Sequence, residues 1–443
     1  MKEEEDQSGQ SVGQSKIPTS KVQRAAKIIG TSAKVGGNYL KYYAKKTVQP
    51  SLTKDQLHHD NATDIYSSLS KMKGSALKVA QMMSMDNGIL PQAYQDQFAL
   101  AQYSAPPLSY PLILKTFQQY FGQKPLDLFD DFSRNAIHAA SIGQVHRAQK
   151  GELQLAVKIQ YPGVAESISS DLKLVKPLAS QLLNMKASDM KQYMDEVESK
   201  LLEETDYEHE LQSGTEIGEA SAFIKGLRFP KYYAEWSNKR VLTMDWIEGL
   251  MFPEFLKTNP TQEVRNAIGQ AMWDFFLYQM KVLRKVHADP HPGNFIVDSE
   301  NNLCVIDFGC IKEIPSDFFE NYFQLLKPEI IQNEEQLNAI YVKIELFKPE
   351  DTPREQALLK QIYGDMIGLL GLPFQSTSFD FADETYFKSI FTMGEELSQN
   401  KELRKMNNAR GSKHAIYVMR TFFGLYSLLH QLKANVQLNY TLD

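Results

Sequence analysis

Cysteine is nearly absent from this chain of 443 residues: only Cys304 and Cys310 occur. Two thiols cannot staple a fold of this length, so a disulfide framework is excluded and a reducing compartment is expected. No apolar run reaches the roughly 20 residues that cross a bilayer as a helix. The best candidate, Ala415 to Leu432, is interrupted by Arg420 and His430 and reads as a buried amphipathic helix. No apolar signal region follows the acidic start Met1-Lys2-Glu3-Glu4-Glu5-Asp6, which makes the cytoplasm the expected location. An excess of positive charge is missing too. The formal net charge of -6 argues against nucleic acid as a partner. Acidic residues are in turn absent from Ser8 to Thr53, where Lys16, Lys21, Arg24, Lys27, Lys34, Lys41, Lys45 and Lys46 fall. Ile28, Ile29, Val35, Tyr39, Leu40 and Tyr43 are interspersed and form a loose apolar face. Two readings of this segment stand: a surface for peripheral contact with anionic membrane, or a solvated helix face.

What is present is an ordinary globular composition, 42% hydrophobic and 23% charged, long enough for two lobes and an extension. Met1 to Pro18 is expected to be disordered. Asp60 to Asp86 reads as helix, with Ile65, Leu69 and Met72 at i, i+4 and i+7, and Met82, Met83 and Met85 as core filler. From Ile137 the period changes. Ser141 to Ala148 and Gln154 to Gln160 read as strands joined by a turn around Lys150-Gly151-Glu152. A helical region follows from Ala165 to Ala222, broken near Lys186-Ala187-Ser188, and Val241 to Trp246 is a short strand. Beyond Pro253 the pattern is helical apart from a hairpin around Asp298 to Asn302. The expected fold is therefore bilobal α+β with a helical N-terminal extension. Its parts are a flexible basic segment (1–58), the helical extension (59–132), a sheet-bearing N-lobe (133–247) and a helical C-lobe (248–443).

The chemistry is concentrated in V-H-A-D-P-H-P-G-N-F-I-V-D-S-E-N-N-L-C-V-I-D-F-G-C, Val286 to Cys310. Asp289 is followed five residues later by Asn294, then by Asp307-Phe308-Gly309. A carboxylate that orients an acceptor, a carboxamide ligand and a second carboxylate in this order form the acidic half of a kinase-type phosphoryl-transfer site. ATP brings Mg2+, and Asn294 and Asp307 offer the hard oxygens it takes. His287 and His291 have a spacing used for zinc, but Pro290 between them and the lack of a glutamate after His287 exclude a zinc-protease helix.

The complementary half is Leu155-Ala156-Val157-Lys158. A lysine ending a buried strand needs a carboxylate partner, and such a lysine can hold nucleotide phosphates. The loop before it, His138-Ala139-Ala140-Ser141-Ile142-Gly143-Gln144, stands where a glycine-rich nucleotide loop would be. It carries alanines instead, so Ala139, Ala140, Ser141, Gly143 and Gln144 are expected to hold phosphates differently. Leu201 to Glu210 supplies the acids. On one continuous helix Glu204 and Glu210 would lie about 120° apart and serve two different lysines, Lys158 and one from the N-terminal helices. Lys78, with Gln81 on the same face at i+3, is the candidate for the second.

At these residues the chain resembles a family. A-A-S-I-G-Q-V-H-R-A (Ala139 to Ala148), A-V-K-I-Q-Y-P-G-V (Ala156 to Val164), L-E-E-T-D-Y-E-H-E (Leu202 to Glu210) and H-A-D-P-H-P-G-N-F (His287 to Phe295) resemble the UbiB/AarF family of atypical kinase-like proteins. The resemblance spans about Ala62 to Pro315. It implies a protein-kinase-like fold with an N-terminal extension over the active site, binding of Mg-ATP, and a role in isoprenoid quinone biosynthesis or lipid homeostasis, with an isoprenoid lipid or quinone precursor as partner. Carried over by motif, Lys158 is the nucleotide lysine and Glu210 its partner, and Glu204 and Asp206 are the family's E-x-D pair. Lys78 is the lysine of a K-x-G-Q motif that obstructs a protein substrate. The chain departs from the family with Ala80 in place of that glycine and His138 at the head of the alanine loop. Three functions follow as expectations: an ATP-dependent phosphotransferase or ATPase, an ATP-gated lipid-binding or scaffold protein, and a small-molecule phosphotransferase.

Overall fold

The computed structural model describes residues 21–49, 53–72, 74–85, 92–99, 107–139, 142–183, 187–400, 402–403 and 411–438. The chain divides into two compact units, residues 1–211 with 232–246 and residues 212–231 with 247–443.

The first unit contains a helical layer and a sheet. Helices α1 (Lys21–Val48), α2 (Asp55–Met72), α3 (Gly74–Met85) and α4 (Gln92–Ala99) pack with α6 (Val164–Leu183) and α7 (Ala187–Glu204) around one apolar cluster. Ile65, Leu69 and Met72 sit in that cluster, as their helical spacing requires. Residues 21–48, expected within a flexible segment, instead form α1. Ile28, Val35 and Tyr42, one every seventh residue, are buried, while Ile29, Leu40 and Tyr43 of the same expected face are exposed. A buried ion pair fastens this helix. The Arg24 guanidinium donates to both carboxylate oxygens of Asp171 on α6, and its Nη1 donates to the Met72 carbonyl at 3.1 Å. Ser75 and Ser167 hydroxyls also donate to Asp171, so a fully buried carboxylate is completely surrounded by donors.

The sheet comprises β1 (Asp131–Phe132), β2 (His138–Ala139), β3 (Gly143–Lys150), β4 (Leu153–Gln160) and β6 (Val241–Asp245); β5 (Leu227–Arg228) belongs to the second unit. The order is β1-β3-β4-β6, all antiparallel, with β2 also pairing β3. Gly151 makes the β3–β4 turn at φ +58°, a conformation that side chains with a Cβ disfavour. Helix α5 (Tyr110–Phe121), with Pro111 in its first turn and Gly122 ending it at φ +70°, covers the sheet through Ile113 and Phe117. Phe117, Phe129 and Phe132 form an aromatic cluster with centroids 5.5 to 6.4 Å apart. The region expected to be helical from Ala165 to Ala222 with a break near Lys186 is three helices, α6, α7 and α8 (Tyr207–Ser221), with a second break between Glu204 and Tyr207.

In the second unit a four-stranded sheet runs β5-β10-β9-β7, from β7 (Leu250–Met251), β9 (Phe295–Val297) and β10 (Leu303–Val305). A two-stranded ribbon pairs β8 (Lys285–His287) with β11 (Ile311–Glu313), and another pairs β12 (Ser378–Asp380) with β13 (Asn435–Gln437). The ribbon strands depart from the helical reading of this half, three residues carrying no periodicity to detect, whereas β9 and β10 form the hairpin expected around Asp298 to Asn302. The helices are α9 (Phe252–Lys257), α10 (Gln262–Tyr278), α11 (Ser316–Phe323), α12 (Glu334–Lys343), α13 (Pro353–Leu370), α14 (Glu384–Gln399) and α15 (Lys413–Leu432). Trp273 of α10 stacks 6.3 Å from Tyr426 of α15 in the core. Helix α10 widens into a π turn at Gln279–Leu283 and stops at Arg284, whose φ is +54°. That reversal launches β8. Among the described residues no helix is long and apolar enough to cross a membrane.

Candidate functional site

Lys158 lies on β4, an interior strand, opposite Val145 of β3 and Leu242 of β6. Its ammonium donates to both oxygens of the Glu210 carboxylate at 2.9 Å. Glu210 is 1% exposed, and the Lys158 ammonium also sits 5.2 Å above the ring of Tyr207. Burial makes such a pair rigid, because separating it would strand a charge in a dry interior. Lys78 on α3 pairs with Glu204 at 2.8 Å, both largely buried.

The acids do not lie on one continuous helix. The chain leaves α7 at Glu204 and re-enters helix at Tyr207. Asp206 explains the restart: its Oδ1 accepts the His209 N–H at 3.0 Å, which caps α8. Glu204 and Glu210 are therefore not set about 120° apart on one helix; the break at Thr205-Asp206 aims them at different lysines. Sequence reasoning missed this break, although Asp206 before Tyr207-Glu208 is a cap signal.

Of the alanine loop, Ala139 is half-buried on β2, and Ala140 and Ser141 lie outside the described residues, as does the side chain of Gln81 on α3. Gly143 opens β3 where a Cβ would stand 2.7 Å from the Ile159 carbonyl oxygen and 2.9 Å from Tyr207 Oη. Close strand packing is thus one reason for glycine there. The Gln144 side chain points inward. Its Oε1 accepts the Leu108 N–H at 2.7 Å, and its amide donates to His146 Nε2 at 2.9 Å. His146 Nδ1–H donates in turn to the Ser133 carbonyl at 2.8 Å. Burial holds the His146 imidazole below its ordinary pKa, with the Ser133 carbonyl opposing.

In the second unit one imidazole organises the acidic motif. His287 is fully buried on β8, and its backbone N–H donates to Gln279 Oε1 at 2.7 Å, from the π turn. Its Nε2–H donates to the Asp307 carbonyl at 2.8 Å, and its Nδ1 accepts the Asp289 N–H at 3.3 Å. The Asn294 carboxamide donates to the Asp289 carbonyl at 2.9 Å. One side chain thereby links the loop carrying Asp289 to the turn carrying Asp307, whose Oδ1 accepts the Gly309 N–H at 3.0 Å. All three functional side chains are half-buried. Its NH2 end is engaged in that bond, so the carbonyl oxygen is the end of Asn294 that could serve a metal. One carboxylate and one carboxamide oxygen fit Mg2+, which keeps several waters and takes phosphate oxygens to complete its shell.

Residues 100–341 match the family model described as the ABC1 atypical kinase-like domain. The chain belongs to this family. Among ABC1 relatives, it is 27% identical to the probable serine/threonine-protein kinase abkA of Dictyostelium discoideum, over 95% of this chain and 78% of that protein. It is 28% identical to the mitochondrial atypical kinase COQ8 of Saccharomyces cerevisiae, over 84% of this chain and 75% of that one. A solved structure of Rv3197 in complex with erythromycin, from Mycobacterium tuberculosis, is similar at 25% identity. Its TM-score is 0.59, covering 86% of this chain and 94% of the other. The ABC1 domain here is accordingly a kinase-like α+β fold with a helical N-terminal region.

Proposed function

We propose that this ABC1 protein binds Mg-ATP and transfers or hydrolyses its terminal phosphoryl group, in support of isoprenoid quinone biosynthesis or lipid homeostasis. The observation that carries the chemistry is the joint anchoring of Asp289, Asn294 and Asp307 through His287. In this reading Asp289 orients or deprotonates the attacking hydroxyl or water, and Asn294 and Asp307 hold the metal. Mg2+ supplies neutralisation of the charge that develops on the phosphates. To Lys158, fixed by Glu210, falls the positioning of the nucleotide, and to the alanine-loop motif, Ala139 to Gln144, the contact with its phosphates that the family motif implies. The quinone role rests on membership of the family that includes COQ8.

Purified protein is expected to bind and turn over Mg-ATP. Asp289→Asn is expected to abolish turnover while retaining binding, and Asp307→Asn to weaken Mg-dependent ATP binding as well. A wild type that does neither defeats the proposal.

A second reading, hydrolysis that serves lipid handling with no protein acceptor, is favoured by the buried Lys78–Glu204 pair. A lysine so held belongs to a built structure rather than to a mobile arm. Peripheral membrane contact is supported by α1. Its exposed Val22, Ile29, Leu40 and Tyr43 fall within about 60° of one another around the helix, beside lysines and no acidic residue. Turnover with and without anionic liposomes and phenolic quinone precursors decides: stimulation without a phosphorylated acceptor supports hydrolysis, and a labelled lysate protein supports a kinase.

A further inference from the structure

The C-terminal helix α15 lies beyond the residues that match the family model. One face of it nonetheless runs along the segment that carries Asp289. Tyr417, Thr421 and Gly424 recur at i, i+4 and i+7, so they share that face. Lys312 of β11, the partner strand of β8, places its ammonium 5.0 Å over the Tyr417 ring. The Thr421 hydroxyl, which donates to the Tyr417 carbonyl at 2.9 Å, also lies 3.4 Å from the His287 carbonyl oxygen. Gly424 comes last, against the residue that follows Asp289. A Cβ built at 424 would overlap the Pro290 ring, standing 3.1 Å from its Cβ and 3.2 Å from its Cδ with Cγ closer still.

Glycine in a helix interior is unfavourable, since it surrenders backbone entropy and adds no side-chain packing. Gly424 has an ordinary helical conformation, so no turn demands it. The close approach of Pro290 does. Proline, in turn, is a rigid ring with no N–H, so contact on the ring is passed to the backbone it shares with Asp289.

We propose that Gly424 is a positioning residue: the gap it leaves in α15 seats the Pro290 ring and so sets where the Asp289 carboxylate stands. The inference rests on the reading of Asp289 as the group that acts on the acceptor. Any side chain at 424 displaces the loop by on the order of 1 Å, and a shift of that size costs up to about 100-fold in rate when it moves a reacting group.

The test uses the full-length protein with Gly424→Ala, Pro290→Ala and the two combined. Gly364→Ala on α13 is the matched control, because a Cβ there meets nothing within 4 Å. Turnover of Mg-ATP, affinity for a fluorescent ATP analogue, and hydrogen exchange of peptides spanning 286–294 are read together. Gly424→Ala is expected to lower kcat by about 10- to 100-fold, to leave nucleotide affinity within about twofold, and to raise exchange in 286–294. Gly364→Ala should change none of these. Trimming the ring with Pro290→Ala in the Gly424→Ala background should raise turnover above that of Gly424→Ala alone. If Gly424→Ala does not accumulate folded, a folded and active double variant supports the fit, and an equally unfolded or inactive one overturns it. Wild-type kcat and wild-type exchange in Gly424→Ala also overturn it. Should Asp289→Asn turn over like wild type while Gly424→Ala still raises exchange in 286–294, the fit of ring to helix stands and the role given to Asp289 falls.

Discussion

Replacing Lys158 by methionine removes one ammonium and leaves the Glu210 carboxylate, 1% exposed, without its cation. Two charge-assisted hydrogen bonds of 2.9 Å disappear, and with them their compensation for the desolvation of the acid. Breaking a buried pair from one side costs about 3–5 kcal/mol. Changing both members, Lys158→Met with Glu210→Leu, removes the desolvation penalty together with the attraction and should regain at least about 2 kcal/mol of that loss. The pair is deep enough for these figures to apply, since the lysine side chain is itself only 18% exposed. Urea unfolding measures it. Trp236 and Trp246 lie in the first unit, and a Trp273→Phe background silences the tryptophan of the second. The urea slopes must agree among variants for the midpoints to be compared. A Lys158→Met loss below about 1 kcal/mol, or a double variant no more stable than the single one, refutes the argument that this lysine is held by a dry carboxylate.

Further outcomes follow from neighbouring geometry. Gly143→Ala forces a Cβ against the Ile159 carbonyl and Tyr207 Oη, so the first unit should lose about 1–3 kcal/mol in the same unfolding assay. His146 is held below its ordinary pKa of 6.5, so the unfolded chain binds its proton more readily than the folded one. The stability this contributes is present above the unfolded value and is lost as pH falls from there through the folded value. The first unit should therefore weaken between pH 7 and pH 5, by an amount that shrinks in His146→Asn; an unchanged slope rejects the assignment. Burial, assisted by Asp298, pushes the Cys304 thiol up to about 12, so at pH 8 it stays protonated. Iodoacetamide should label Cys304 only after denaturation, and rapid labelling of native protein at this site by mass spectrometry contradicts that.

The β3–β4 hairpin was readable in advance because two eight-residue runs flank Lys150-Gly151-Glu152, and a turn at positive φ calls for glycine. The kinase-like fold was readable because its motifs follow one another in a fixed order along the chain. That Lys158 needs a carboxylate is a statement about desolvation and requires no coordinates. The resemblance names Glu210 as that carboxylate, but the break at Thr205-Asp206 that turns it toward Lys158 is a two-residue event that a search for long helical periods passes over. Strands β8 and β11 escaped for the same reason, being three residues each. The inward turn of Gln144 was invisible because its partners Leu108 and His146 come from separate elements. The fit of Gly424 to Pro290 joins residues 134 apart in the chain, and nothing local marks either one.

The Arg24–Asp171 pair fixes where this protein can be cut. A basic stretch ahead of a folded domain invites removal, whether by a protease in the cell or by a designer of shorter versions. Cleavage anywhere between Val48 and Asp55 would carry away the guanidinium and leave Asp171, at 0% exposure, with two serine hydroxyls as its remaining donors. The remaining bundle would keep that carboxylate without its cation, and α6, which carries it, would bear the cost. The first helix is therefore a part of the fold that supplies its own counter-ion and core residues, and a version beginning after residue 48 should unfold at lower urea than the full chain.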